Sequence, residues 1–169
     1  MAAVPVESPR HRAFVTDAAA GTATPAPEDT SPAEIMQVRL LVEPPVAALA
    51  ARVATQADLD RIADRLDRGG QATGDYEDFE RSDADFHRAI AQAAHNGLLM
   101  NIFDVMNAAR ALPIWGGLKR RVSTSERQQC YHREHTAIVE ALRDRDPEQA
   151  QAAMREHLRT IADDLLGRQ

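Results

Sequence analysis

The sequence predicts an all-α fold, an antiparallel bundle of about six helices, and three observations carry that expectation. Only 4% of the 169 residues are aromatic, and no run rich in Val, Ile, Thr and Tyr marks a strand. Helix start and stop signals recur from Ser31 to the C-terminus. Between them apolar residues return every three or four positions, the spacing of one buried helix face.

The elements follow in order. Residues 1–30 contain Pro5, Pro9, Pro25 and Pro27, and Asp17 to Thr30 is small and apolar without helical spacing, so this stretch reads as a flexible tail. The helical domain is expected over residues 31–169. Ser31-Pro32-Ala33-Glu34 combines a capping serine, a proline at the first helical position and a glutamate three residues after the cap. It opens a first helix over 32–53, which Pro44-Pro45 should kink or split by removing two donors. Thr55 with Asp58 opens a second helix, 56–68, and Gly69-Gly70 ends it. Asp75 with Asp78 opens a third, 76–95. Asn96-Gly97 precedes a fourth, 98–115, which Gly116-Gly117 should break. Ser123 with Glu126 opens a fifth, 124–144, and Asp146-Pro147 with Gln149 a sixth, 147–166. Such short connections favour antiparallel neighbours.

Charge and cysteine usage exclude several classes of function. Twenty Lys+Arg against 26 Asp+Glu give a formal charge of −6, and Lys119 is the one lysine, which argues against sequence-independent binding to phosphate backbones. A single cysteine, Cys130, excludes an intrachain disulfide and points to a cytoplasmic home. No basic start precedes an apolar run, and no 18 apolar residues occur in succession, so neither a signal peptide nor a membrane span is expected.

Polar residues interrupt the apolar stripes at particular places. Phe79, Asp83, Phe86, His87, Ile90 and Ala94 are three or four apart, which puts Asp83 and His87 on the face that should be buried. His135 leads into Ile138, Val139 and Leu142, and His157 lies among Met154, Leu158, Ile161 and Leu165. A buried ionised carboxylate costs several kcal/mol unless an opposite charge or a metal compensates it. One divalent cation per chain, of the zinc, nickel, iron or manganese kind, would serve Asp83, His87, His135 and His157 together. The plainer alternative is that each histidine is a partly buried residue hydrogen-bonded to a neighbour.

Other patterns are ruled out or stay open. Neither HExxH nor HxxEH occurs, which removes the zinc-protease motifs, and no Glu-x-x-His pair supports a di-iron bundle. His132, one turn before His135, reads as a supporting or substitute ligand or as a surface residue. His95 reads as structural, at the end of the third helix. Arg39 borders the stripe of the first helix, where its guanidinium could fork onto a bound carboxylate or pair with Glu43 one turn later or with an acid on a neighbouring helix. Lys119-Arg120-Arg121 reads as a solvated loop, Trp115, Met100 and Met106 as core, and Cys130 as inert.

In order and spacing, several segments resemble the effector-binding C-terminal domain of FadR-type GntR transcriptional regulators, the FCD fold. They are Val38-Arg39-Leu40-Leu41-Val42-Glu43-Pro44-Pro45, Asp83-Ala84-Asp85-Phe86-His87-Arg88-Ala89-Ile90, Asn96, His135-Thr136-Ala137-Ile138 through Asp146, and Met154-Arg155-Glu156-His157-Leu158. The resemblance runs from about Glu34 to Ile161. It implies a helical bundle enclosing a central pocket, with Asp83, His87, His135 and His157 holding the metal. It also implies a small organic acid sensed beside that metal, Arg39 contacting its carboxylate, and a homodimer. His95 stands where the family more often has a small residue, which implies a different pocket rim. The regulators carry a winged helix-turn-helix ahead of this domain. Residues 1–30 show no such pattern, although Arg10 to Val15 looks like a last wing strand, so DNA binding is expected only through a winged-helix module missing from this chain. Two rival functions remain in view, a small metalloenzyme using the same Asp/His set to activate water and a scaffold with a purely structural metal.

Overall fold

A computed structural model of the chain describes residues 30–71 and 76–167. The expected tail, its Arg10–Val15 strand, His11 and the Asp75 cap lie outside the described residues. Among those described, seven helices occur: α1 (Pro32–Val53), α2 (Gln56–Gln71), α3 (Tyr76–Ala93), α4 (Gly97–Arg110), α5 (Pro113–Val122), α6 (Ser125–Arg143) and α7 (Pro147–Leu166).

Local chemistry sets most of the helix starts. At α1 the Ser31 N–H donates to Glu34 Oε2 at 2.8 Å, and the Glu34 N–H donates to Ser31 Oγ at 3.3 Å, so two otherwise orphaned donors are satisfied reciprocally. Thr55 and Asp58 make the same exchange at α2. Asn96 caps α4 by accepting from the Leu98 and Leu99 N–H groups, and Asp146 caps α7 by accepting from Gln149. At α6 the cap is Thr124, one residue beyond the expected Ser123, because the Thr124 hydroxyl is the one that accepts from Arg127 N–H.

Four expectations about helix breaks are corrected. α1 continues across Pro44-Pro45 as one helix, so the expected split does not occur. Pro44 is buried there, and Val46, Ala47, Ala50 and Ala51 just beyond it are nearly inaccessible, so packing, chiefly against α7, outweighs the lost bonds. α2 continues through Gly69-Gly70, where a Cβ on Gly70 would lie 2.8 Å from the His132 ring. Glycine at 70 therefore allows close approach of α2 to α6 and does not end the helix. The expected helix 98–115 is instead two helices. Pro113 holds the preceding Leu112 in extended backbone (ψ 145°) and starts α5 at its own position. Gly116-Gly117 consequently lies inside α5, and Lys119-Arg120-Arg121 is the last turn of a helix and not a solvated loop.

α1 and α7 pack along their length, α3 lies against α1 and α2, and α6 against α2 and α7. The shared core contains Ile35, Met36, Ile62, Phe86, Ile90, Trp115, Ile138, Leu142, Met154, Leu158 and Ile161, all at most 3% exposed. Met106 joins it, and Met100 packs against it from a partly buried position. This arrangement turns the polar positions of α1, α3, α6 and α7 toward one interior point. Among the described residues no helix is long and apolar enough to cross a membrane.

Candidate metal and ligand site

Asp83 and His87 sit one turn apart on α3, His135 on α6 and His157 on α7, and all four are buried. One ligand atom from each lies within 4.8 Å of the others. The His157 Nε2 is 2.9 Å from His135 Nε2 and 3.3 Å from His87 Nε2. Asp83 Oδ1 stands 3.4 Å from His135 Nε2 and 3.8 Å from His87 Nε2.

The far sides of two rings face carboxylates. Glu43 Oε2 lies 2.6 Å from His87 Nδ1, out of line for a hydrogen bond but near enough to favour a proton there. Glu134 Oε2 lies 2.7 Å from His157 Nδ1 and accepts from it. Protons drawn to Nδ1 leave Nε2 lone pairs directed at the common centre, the arrangement by which outer carboxylates orient metal-binding histidines. Burial, then the neighbouring histidine, pushes His135 and His157 well below the ordinary imidazole range, which keeps both neutral.

Asp83 is an anion despite its burial. Desolvation alone would raise its pKa, but the Arg110 guanidinium holds it well below the usual carboxylate range. Arg110 Nη2 donates to Asp83 Oδ2 at 2.6 Å, while Asp83 Oδ1 has no hydrogen-bond partner. A partnerless buried carboxylate oxygen beside three converging imidazole nitrogens is the donor set that suits a divalent cation.

Arg39 is fully buried on α1, and its Nε donates to Glu43 Oε1 at 2.7 Å. The ion pair with Glu43 is therefore present, yet Nη1 and Nη2 remain without partners. Burial would raise the Glu43 pKa, but Arg39 and His87 hold it far below its ordinary value. A cleft between α2, α3 and α6, bordered by Gly69, Ser82 and His132, reaches Asp83 and His135 but encloses only about 10 Å³. The half-buried His132 thus stands at the mouth of the site and not among the converging atoms. His95 pairs with Asp58 at 2.8 Å, away from the centre.

Sequence reasoning missed three groups here. Arg110 is 6% exposed and bridges Asp83 and Glu80, each at 2.6 Å. Lys119 is fully buried, and Glu134 orients His157. A signal existed for two of them: Arg110 follows Met106 by four on α4, and Lys119 follows Trp115 by four on α5, so both fall on buried faces.

The bundle thus draws one aspartate and three histidines to its centre, with a buried arginine alongside. Residues 34–160 match the FCD domain family, and the chain belongs to it, as the effector-binding domain of GntR-family regulators. The chain is 34% identical over 134 residues to the HTH-type transcriptional repressor NanR of Cronobacter sakazakii, covering 76% of this chain and 49% of that protein. It is 36% identical over 138 residues to the HTH-type transcriptional regulator LutR of Bacillus subtilis, covering 79% and 62% respectively. The chain thus spans about half to three fifths of the length of these curated relatives. The fold is shared with E. coli McbR/YncC at a TM-score of 0.70 and 19% identity, over 79% of this chain and 63% of that one. NanR and LutR are transcriptional regulators, and the FCD family match goes with them and not with the metalloenzyme reading.

Proposed function

We propose that this domain senses a small carboxylate beside one divalent metal ion held by Asp83, His87, His135 and His157. The observation that carries the reading is the partnerless Asp83 Oδ1 among three converging Nε2 atoms. A bound ion would neutralise that buried oxygen and offer a Lewis-acidic contact to an acid. The unpartnered Nη1 and Nη2 of Arg39 supply a planar fork for the same carboxylate, Glu43 fixing the guanidinium from behind. Because the cleft of about 10 Å³ is roughly the space of one water, an acid enters only as α2, α3 and α6 move apart. Occupancy is thereby coupled to helix packing, which in a dimeric regulator would reposition a DNA-binding module.

The experiment combines metal analysis with thermal shifts. Protein purified without chelator should carry about one divalent ion per chain, and His135→Ala should lose metal and melt lower, since the Asp83 charge loses compensation. A small carboxylate at a hundred times its dissociation constant should stabilise the metal-loaded protein by roughly 2.7 kcal/mol. Arg39→Ala should weaken that effect and leave the metal bound. Equal metal content in wild type and His135→Ala refutes the ligand set. Metal binding without any response to acids would reduce the ion to a structural role.

A further inference from the structure

The ion network around Arg110 is larger than compensation of one aspartate requires. Arg110 Nη2 donates to Glu80 Oε1 and to Asp83 Oδ2, each at 2.6 Å. Glu80 Oε1 also accepts from Trp115 Nε1 at 3.0 Å, and the Arg110 guanidinium lies over the Trp115 ring, 5.6 Å from its centroid. The buried Lys119 Nζ stands 4.0 Å from the other Glu80 oxygen. Glu80 and Asp83 are three residues apart on α3, and Trp115 and Lys119 four apart on α5, so one face of each helix grips the last residue of α4. Burial would raise the Glu80 pKa, but Arg110 and then Lys119 bring it below its ordinary value. Two anions thus meet two cations, and the Arg110 side chain is held by Glu80 and Trp115 while it holds Asp83.

That grip falls on one oxygen. Oδ2 of Asp83 is bonded to Arg110, while Oδ1 stands 3.4 Å from His135 Nε2 and 3.8 Å from His87 Nε2 and has no hydrogen-bond partner. A carboxylate free to turn can offer a cation one oxygen or both. Here turning would break a charge-assisted bond in a low-dielectric interior, and Arg110 could not follow without leaving Glu80. The four converging groups therefore present three imidazole nitrogens and one oxygen. Magnesium, calcium and manganese favour sets rich in oxygen, whereas zinc and nickel accept one dominated by imidazole.

We infer that Arg110, locked by Glu80 and Trp115, is a positioning residue that withholds Asp83 Oδ2 from the metal. Presentation of a single oxygen then selects a nitrogen-preferring ion such as zinc or nickel over manganese. This rests on the metal-binding part of the reading above and names the class of ion. It also gives the buried lysine a role, since Lys119 balances Glu80 and lets it hold Arg110 without adding net charge to the core.

Competitive loading of the full chain with zinc(II) and manganese(II), read by elemental analysis and by titration against a chromophoric chelator, tests it. Wild type should take zinc, and the decisive quantity is how the manganese-to-zinc affinity ratio responds to substitution. The double variant Arg110→Met with Glu80→Gln removes one charge of each sign. Its ratio should rise about tenfold or more, the size of effect that outer partners of metal ligands exert. Arg110→Lys keeps a cationic donor near Oδ2 and should recover most of the wild-type ratio. Cobalt(II) gives an independent readout, because its visible absorption weakens as a further oxygen joins the ion, so the double variant should absorb less than wild type. Glu80→Gln alone should move the ratio the same way by a smaller factor, and it decides the matter where the double variant does not fold. A uniform loss of affinity for both ions, with the ratio unchanged, makes Arg110 a structural residue and overturns the inference while leaving the metal site intact. Wild type that takes manganese as readily as zinc overturns it as well. Failure of wild type to bind any of the three ions overturns the metal site itself, and the role of Arg110 with it.

Discussion

Glu134 shows what a single residue contributes behind the converging nitrogens. It accepts from His157 Nδ1 at 2.7 Å and from the Thr160 hydroxyl at 2.8 Å, so it both orients the imidazole and is itself held in place. Burial raises its pKa even though Thr160 donates to it. Glu134→Gln keeps the shape and removes the charge. Metal affinity is expected to fall about 10- to 100-fold, as measured by competition with a chromophoric chelator, with the helical circular-dichroism spectrum unchanged. An unaltered affinity would mean that His157 is oriented by packing alone. At this scale the sequence is partly readable. The i, i+4 spacing of Asp83 and His87 marks them, whereas Glu134 lies beside His135 in sequence and acts on His157, 23 positions away.

The second helix illustrates how an element's stability depends on pH. Asp58 accepts from the Thr55 N–H and hydroxyl, pairs with Arg61, and bridges to His95 in the turn after α3. Burial would raise its pKa, but the Thr55 hydrogen bonds and His95 bring it below the ordinary 3.8. A carboxyl with a depressed folded-state pKa contributes stability fully above its unfolded value and loses it as pH falls through the folded one. Wild type should therefore exceed Asp58→Ala by about 1 kcal/mol in urea unfolding near pH 7. The gap should close below pH 3.8, and a gap independent of pH would assign the effect to packing. The same element exposes a limit of punctuation reading. Gly69-Gly70 looks like a terminator until the His132 ring is seen lying against it, and Pro113 outranks Gly116-Gly117 because a fixed φ acts on backbone geometry directly.

Across the whole molecule, α1 leaves Leu41 76% and Val38 40% exposed, three residues apart on its outer face. The homodimer expected from the FCD resemblance would cover these two side chains. Light scattering should give twice the 18.6 kDa chain mass. With a net charge of −6 and a single lysine, the 169-residue chain is expected to give a blank gel shift at physiological salt. Fusing a winged-helix segment ahead of Ser31 is expected to give a positive one. Specific, tight binding by the present chain would require residues 1–30 to be reread as a functional element.

The helical class, most of the caps and the four residues that meet at the centre are legible along the chain, because capping and three-to-four periodicity are local and depend on neighbours within one turn or two. That α1 passes through two prolines as one helix, that Lys119 and Arg110 belong to the interior, and that Glu43 and Glu134 stand behind His87 and His157 emerges from packing. Those outcomes depend on which helix faces meet. Periodicity states that a face is buried; it does not say what charge waits on the helix opposite, and in a low-dielectric core that opposite charge decides whether a lysine or an aspartate can stay.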